Sequence, residues 1–425
     1  MACDIITTDS LLEELSRRFK SLEQHSEKNG AVLNFKGRRP GQSGGCYGEA
    51  AGIHEYIERT VHAGQTDGTP IYCKFTQIRF KRPACGRTFN EEIAGLDSRR
   101  RISSDMERFI MESLGTITMS ELSRQTGTGA STVEDIASQY SERMKSDIIS
   151  GKFTRLSMDG LYSSKSIGYY WVLNDISQPD CAKNIMIEIG GKKEDALLYL
   201  RKLKNLESIE AVCIDMWEPY KNAINTAIPN ADVCIDPFHA AENASKALND
   251  IRKSTDFGSK KENKKAKKDS YLSASSIFKL SGAELDRLDS YLGKSEVLAN
   301  AYFSYQEILY FYKIEGCNEA TDCILNWIID TSELNIPALN KVVATTAKWL
   351  FEILNHFKHH ISDGKTEGKN RLIRMIERMG FHCGHKTMQA AIYAHDARQA
   401  KLRKHLHINR SIKEAVENSG ERVAA

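Results

Sequence analysis

Hydrophobic positions change their period several times along the chain, and the changes divide it into segments. Between residues 70 and 80 β-branched and aromatic residues run together, after the Gly-rich stretch GRRPGQSGGCYG and before CGRTF. This pattern predicts a small β-rich module with turns in the first hundred residues. From 105 to 147 the period becomes helical. Residues 120–125 and 130–140 predict two helices joined by a turn at 126–129, with Gly127 free to take a positive φ, the pattern of a helix-turn-helix. Beyond Lys152 short apolar runs predict strands at 153–158, 168–174 and 184–189, a helix at 193–204, a strand at 209–214, a helix at 218–227 and a strand at 232–235. After His239 the pattern stays helical for more than a hundred residues. Leu298, Ala301, Tyr302, Tyr305, Ile308, Leu309 and Tyr312 recur at spacings of three and four there, an amphipathic helix whose aromatic stripe belongs to the core.

Three strands, then helix, strand, helix, strand, is the order of an RNase H-like fold. The expected class is therefore α/β: an RNase H-like mixed-sheet core interrupted by an all-α insertion, preceded by a small β-rich, ribbon-like module and a helix-turn-helix. Expected boundaries are 1–100 for the N-terminal module, 101–150 for the helix-turn-helix and 151–242 for the first part of the core. The helical insertion follows at 243–348, the last part of the core at 349–400 and a basic tail at 401–425. A chain of 425 residues is long enough for two or three such domains, each with its own core.

Composition changes this picture little. Hydrophobic residues make up 41% and charged residues 27%, as in globular proteins. The net charge of +3, from 59 basic and 56 acidic residues, argues neither for nor against nucleic acid, so local distribution must decide. The basic run KKENKKAKK (Lys260–Lys268) reads either as a solvated flexible loop or as a DNA phosphate contact. Arg99, Arg100 and Arg101 read as phosphate contacts or as a solvated linker. Ten scattered cysteines, several inside apolar runs such as AVCID, read as small buried hydrophobes in a reducing compartment. No long apolar run or leader sequence is visible, which points to the cytoplasm.

Candidate chemistry lies with three acids. Asp159 closes RLSMD and Asp215 closes AVCID, so both carboxylates are expected at neighbouring strand ends of one sheet. Glu367 stands at the start of a helix expected over 366–379, whose polar side also carries Asn370, Arg371, Arg374 and Arg378. Phosphodiester chemistry needs such convergent carboxylates, because paired divalent cations activate the attacking oxygen and stabilise the leaving one. Hard oxygen ligands favour Mg²⁺, with Mn²⁺ as a substitute. Arginines alongside can hold phosphates in line. In the second helix of the pair at 120–140, Ser131 and Thr132 bring hydroxyls to a helix N-terminus, where they can meet a phosphate or a base edge; a plain three-helix unit with a Gly turn is the alternative.

DMWEPY around Asp215, IPNADVCIDPFHA with Asp236 and His239, and SDGKTEGKNRLIRMIERMGF with Glu367 and Asn370 carry a resemblance. The chain resembles the ISL-three group of bacterial insertion-sequence transposases, from about residue 40 to about 395. The resemblance implies an Asp–Asp–Glu triad of Asp159, Asp215 and Glu367 as catalytic metal ligands, with a helical insertion between the second Asp and the Glu. It implies double-stranded DNA as partner (element ends and target), a homodimer or higher synaptic oligomer, no membrane, and a nucleoid-associated location in the cytoplasm. Asp236 and His239 resemble an Asp-x-x-His element near the active site; a helix N-cap followed by a core histidine is the alternative. Asn370 is a supporting residue. Trp217 packs under the site, in the core or against DNA.

The chain departs from the group in two places. The group begins with a zinc module of two Cys-x-x-Cys pairs, whereas Cys46, Cys73 and Cys85 form no such pair, so the ribbon is expected to be degenerate and structural Zn²⁺ is not expected. Gly160 follows the first Asp in place of an acid. The late cluster His382, Cys383 and His385 lacks a second cluster and is not expected to hold metal. Two rival functions remain open at this point: a DNA-binding protein that has lost transposition, and a structure-specific nuclease of the same fold.

Overall fold

The computed structural model describes residues 9–421 except 28–29, 40–44, 47–48, 67–68, 84, 98–99, 166, 179–180, 191–192, 362–363 and 380–383. Most of the Gly-rich stretch, Arg99, His382 and Cys383 thus lie outside the described residues. The fold is mixed α/β and divides into two compact units, residues 1–144 with 373–425, and residues 145–372.

The first unit opens with α1 (Asp9–Arg18), β1 (Phe19–Glu27), β2 (Gly30–Arg38), the short β3 (Gly45–Cys46) and β4 (Glu49–Ala50), the long β5 (Gly52–Thr66) and β6 (Thr69–Lys81), and β7 (Thr88–Asn90). β1, β2, β6 and β5 form a mixed sheet in that order, antiparallel except where β2 runs parallel to β6, and β7 also pairs with β6. Leu11, Leu15, Phe19, Phe35, Val61, Cys73 and Phe75 form its core. The Cys73 thiol, surrounded by these side chains, is pushed up to about 12 by burial and stays protonated.

Three helices follow: α2 (Ser104–Ser113), α3 (Met119–Thr126) and α4 (Ala130–Ile148). The Thr118 hydroxyl caps α3 by accepting from Glu121 N, and Gly127 ends it at φ +62°, a value that favours glycine. Leu122, Val133 and Ile136 are buried, Ser131 is exposed and Thr132 is half-buried. Arg100 is held by Glu107 and by the Gln139 side chain, and its carbonyl accepts from Arg59, which makes it a structural residue.

The second unit contains β8 (Arg155–Tyr162), β9 (Tyr169–Asp175), β10 (Lys183–Ile189), α5 (Lys193–Leu200), β11 (Ala211–Ile214), α6 (Glu218–Ala227) and β12 (Asp232–Ile235). The sheet order is β10-β9-β8-β11-β12. β8, β9 and β10 are antiparallel neighbours, while β11 runs parallel to both β8 and β12. Side chains alternate across a strand. Leu156, Met158, Val212, Ile214, Val233 and Ile235 therefore enter one large core together with residues of α5 and α6. Ala211, Cys213 and Cys234, small residues on the opposite face, pack with Ile176, Ala182 and Ile361 in a thinner one.

From Pro237 to Met379 the described residues form helices and no strands: α7 (Pro237–Ser254), α8 (Lys260–Lys268), α9 (Ser270–Ala274), α10 (Gly282–Leu292), α11 (Glu296–Phe311), α12 (Cys317–Glu333), α13 (Pro337–Lys348), α14 (Leu350–His359) and α15 (Gly364–Met379). α16 (His385–Glu421) follows. α11 is the amphipathic helix that its spacing predicts, with Leu298, Ala301, Tyr302, Tyr305 and Ile308 buried. The basic run is a correction, because Lys260–Lys268 is a helix and not a loop. Lysine is a good helix former, Ser259 and Glu262 make a capping box, and Ala266 anchors the buried side. Cysteine burial also departs from expectation: Cys73, Cys213 and Cys234 are buried, but Cys85 and Cys317 are exposed.

Ser259→Ala removes the cap of α8. The expected loss is about 1 kcal/mol of unfolding free energy, read from a denaturant titration.

Candidate active site

Asp159 and Asp215 come from adjacent parallel strands. Met158 pairs with Ile214, so the next residue on each strand is a carboxylate. Asp159 is not at a strand end as the sequence suggests, because β8 continues to Tyr162 through its pairing with β9. Asp215 does follow the last residue of β11. Both acids share the small-residue face of the sheet with Ser157, Ala211 and Cys213 by the two-residue alternation.

That narrow face lets α15 come close. The Thr366 and Ser157 hydroxyls are hydrogen-bonded and fully buried, and one helical turn later the Asn370 amide donates to Asp159 Oδ2. The spacing of four on a helix matches the spacing of two on a strand. α14 prepares this approach from the sheet edge: Lys358 Nζ and His359 Nε2 reach Asp232 Oδ2 at 2.6 and 2.7 Å, and Asn355 Nδ2 donates to the Val233 carbonyl at 2.9 Å. His360 then adopts φ +50° and ends the helix.

The electrostatics are those of two crowded acids. Burial and the neighbouring Asp215 charge raise the Asp159 carboxyl to about 6, against hydrogen bonds from Gly160 N and Asn370. His239 Nε2 lies 2.5 Å from Asp215 Oδ1. The contact is an ion pair out of line for a hydrogen bond, so Asp215 Oδ1 is buried without an aligned donor. Burial opposes the charge on His239, but Asp215, with Asp236 and Asp159, outweighs it and raises the imidazole to about 9. Asn370 Oδ1 is likewise buried without a partner. An acid pair and unsatisfied oxygens form a donor set suited to a hard cation.

Both readings of the Asp-x-x-His element hold in part. Asp236 caps α7 by accepting from Phe238 N at 3.1 Å, whereas His239 is no core residue and stands against Asp215. Glu367 differs from expectation in its contacts. Its carboxylate is half-exposed and paired with Arg371 at 2.6 Å, one turn along α15. Among the described residues no three His, Cys, Asp or Glu side chains are gathered closely enough to hold a metal ion. Arg371, Arg374 and Arg378 are exposed along the same helix. Trp217 is partly exposed and stacks edge-on against Tyr220, so it is not a core residue.

Sequence reasoning misses Tyr220, Ser157 and Thr366. A Cβ on Gly160 would come within 3.1 Å of the Tyr220 hydroxyl, which accounts for glycine where an acid might stand. Burial, then Asp159 and Asp215, push the Tyr220 phenol well above its ordinary range. Its place in DMWEPY, five residues after Asp215, is the available signal.

A mixed sheet that presents paired carboxylates to a capping helix is consistent with the catalytic domain of a transposase. The family model for ISL3-type DDE transposases, described as "Transposase", matches residues 156–391, more than half of the chain, and the protein belongs to this family. It is also similar to a Bordetella parapertussis protein described as the transposase for insertion sequence element IS1001, with 23% identity over 344 residues, 79% of this chain and 84% of the relative.

Thr366→Val leaves the Ser157 hydroxyl buried without a partner. About 1–3 kcal/mol of stability is expected to be lost in urea unfolding. The double change Ser157→Ala with Thr366→Val should recover part of it, since neither partner is then left unsatisfied.

Proposed function

We propose that this protein is a DDE transposase that cleaves DNA at insertion-sequence ends and joins the freed ends to target DNA. The observation that carries the reading is the Asp159–Asp215 pair, in a chain whose family match spans both acids and Glu367. The order of a three-stranded antiparallel meander and two parallel strands supports an RNase H-like core, with the helices from α8 to α13 as its insertion. The Gly127 turn between α3 and α4, with Ser131 exposed at the start of α4, supports a helix-turn-helix that reads element ends.

In this reading Asp159, Asp215 and Glu367 hold Mg²⁺, with Mn²⁺ as substitute. When bound, divalent cations supply activation of the attacking oxygen and charge stabilisation on the leaving one. Asn370 fixes the orientation of Asp159, and His239 balances the charge of Asp215. In the first step water attacks phosphorus and the bond to the 3′ oxygen breaks, giving a free 3′-hydroxyl. In the second that hydroxyl attacks a target phosphodiester. Both are in-line displacements, and one site can serve both. The partners are double-stranded DNA, at element ends and target, and further copies of the chain, because two ends must be joined in one reaction. No described helix is long and apolar enough to cross a membrane.

The test is a Mg²⁺-dependent cleavage and strand-transfer assay on DNA from the element ends. Wild type should give joined products, and Asp215→Asn and Glu367→Gln should reduce them to background. End-specific binding without cleavage by wild type would instead identify a protein that only binds DNA. Cleavage without joining would identify a nuclease.

The lysines of α8 bear on the DNA partner. All six are exposed and none forms an ion pair with a described residue. Replacing Lys264, Lys267 and Lys268 by Gln should flatten the salt dependence of duplex binding by about 0.9 in logarithmic slope for each phosphate that is no longer neutralised. A binding isotherm series over salt concentration reads this directly.

A further inference from the structure

The sheet of the second unit carries a row of aromatic rings at one edge. Tyr162 ends β8 and pairs with Tyr169 at the start of β9, their rings 5.3 Å apart and edge-on. Trp217 follows β11 by three residues and Phe238 follows β12 by three, and Ile214 and Ile235 are register partners. Four neighbouring strands thus each place an aromatic residue beyond the same edge, across roughly 14 Å at the usual strand spacing. Exposure is 52% for Tyr169, 48% for Tyr162, 38% for Trp217 and 59% for Phe238. Tyr170 and Trp171 next in sequence are almost wholly buried, so the exposure is confined to this edge.

Exposed aromatic rings forgo the burial that drives folding, and a contiguous set marks a binding surface. The row brackets the acid pair: Trp217 stands two residues after Asp215, and the Phe238 ring lies 5.6 Å from that of His239, itself in contact with Asp215. A strand placed for chemistry at Asp159 and Asp215 passes over these rings. Within a duplex each base face is already covered by the next base pair, so the rings gain a partner only where bases are unpaired and unstacked. Stacking on aromatic side chains is tolerant of base identity, because every base has a π-face.

We propose that Tyr162, Tyr169, Trp217 and Phe238 form a stacking platform for unpaired bases of a single DNA strand beside the scissile phosphate. The platform rests on the reading of Asp159 and Asp215 as the catalytic pair. It makes local melting of the DNA end part of substrate recognition.

The test uses the full-length protein in chelator, where no metal-dependent cleavage occurs, with labelled oligo(dT) and an oligo(dA)·oligo(dT) duplex of equal length as probes. The chain has four tryptophans, and Trp171, Trp327 and Trp349 are at most 3% exposed, so Trp217 reports alone on this edge. Oligo(dT) should quench the tryptophan emission of wild type, and the quenching should vanish in Trp217→Leu. Trp217→Ala and Phe238→Ala should each weaken oligo(dT) binding about fivefold or more while changing duplex affinity less than about twofold. Absence of quenching in wild type, equal losses on both probes, or a change in self-association in place of a change in DNA binding would overturn the platform. Cleavage that persists in Asp215→Asn would remove the catalytic reading, whereas the oligo(dT) measurements in chelator would still decide the platform.

Discussion

Two carboxylates on neighbouring strands, one of them largely withdrawn from water, repel each other, and much of the second unit is arranged around tolerating that repulsion. Burial and proximity raise the energy of the charged pair. His239 offsets part of it from α7, and the Asn370 amide offsets more from α15. Neither neighbour arrives by local sequence alone. His239 depends on the capping of α7 by Asp236, and Asn370 depends on α15 lying close to a face made only of small side chains. A fold that needed stability alone would place apolar residues at 159 and 215, so the persistence of the pair is itself a sign of function.

The hold on α15 is the second requirement. Asp232, at the start of β12, gathers Lys358 and His359 and fixes the end of α14. From there Thr366 reaches Ser157 and Asn370 reaches Asp159 along matching repeats of helix and strand. Glu367 rides on the same turn, and its place in the chain is fixed by neighbours that do no chemistry. Its side chain is free to choose its partner, and here chooses Arg371.

Elements with a strong single period are legible in the sequence. α6 and β12 match their expected limits, and the apolar stripe of α11 is buried as its spacing implies. The apolar pattern ends β8 too early because Gly160 breaks the run, yet pairing with β9 carries the strand on to Tyr162. The lysine-rich segment reads as loop or phosphate contact because charge dominates its composition, while the capping box and one buried alanine decide its helix. At the site, the strand-borne acids are visible because strand pattern and residue type coincide. The hydroxyl pair of Ser157 and Thr366, the Tyr220 hydroxyl over Gly160 and the outward turn of Glu367 are not, since each depends on contacts between distant segments or on a rotamer, which periodicity does not encode.

The order of α8 has a further consequence. Six like charges on a nine-residue helix repel one another, and that repulsion weakens the helix most when few ions are present to screen it. Added salt therefore steadies the helix, while the same salt loosens any grip the lysines have on a polyanion. Ionic strength acts on fold and on binding with opposite signs. A polyanion seated on α8 would relieve the repulsion and raise the folding stability of this segment by mass action, so the helix is at its most rigid in the bound state.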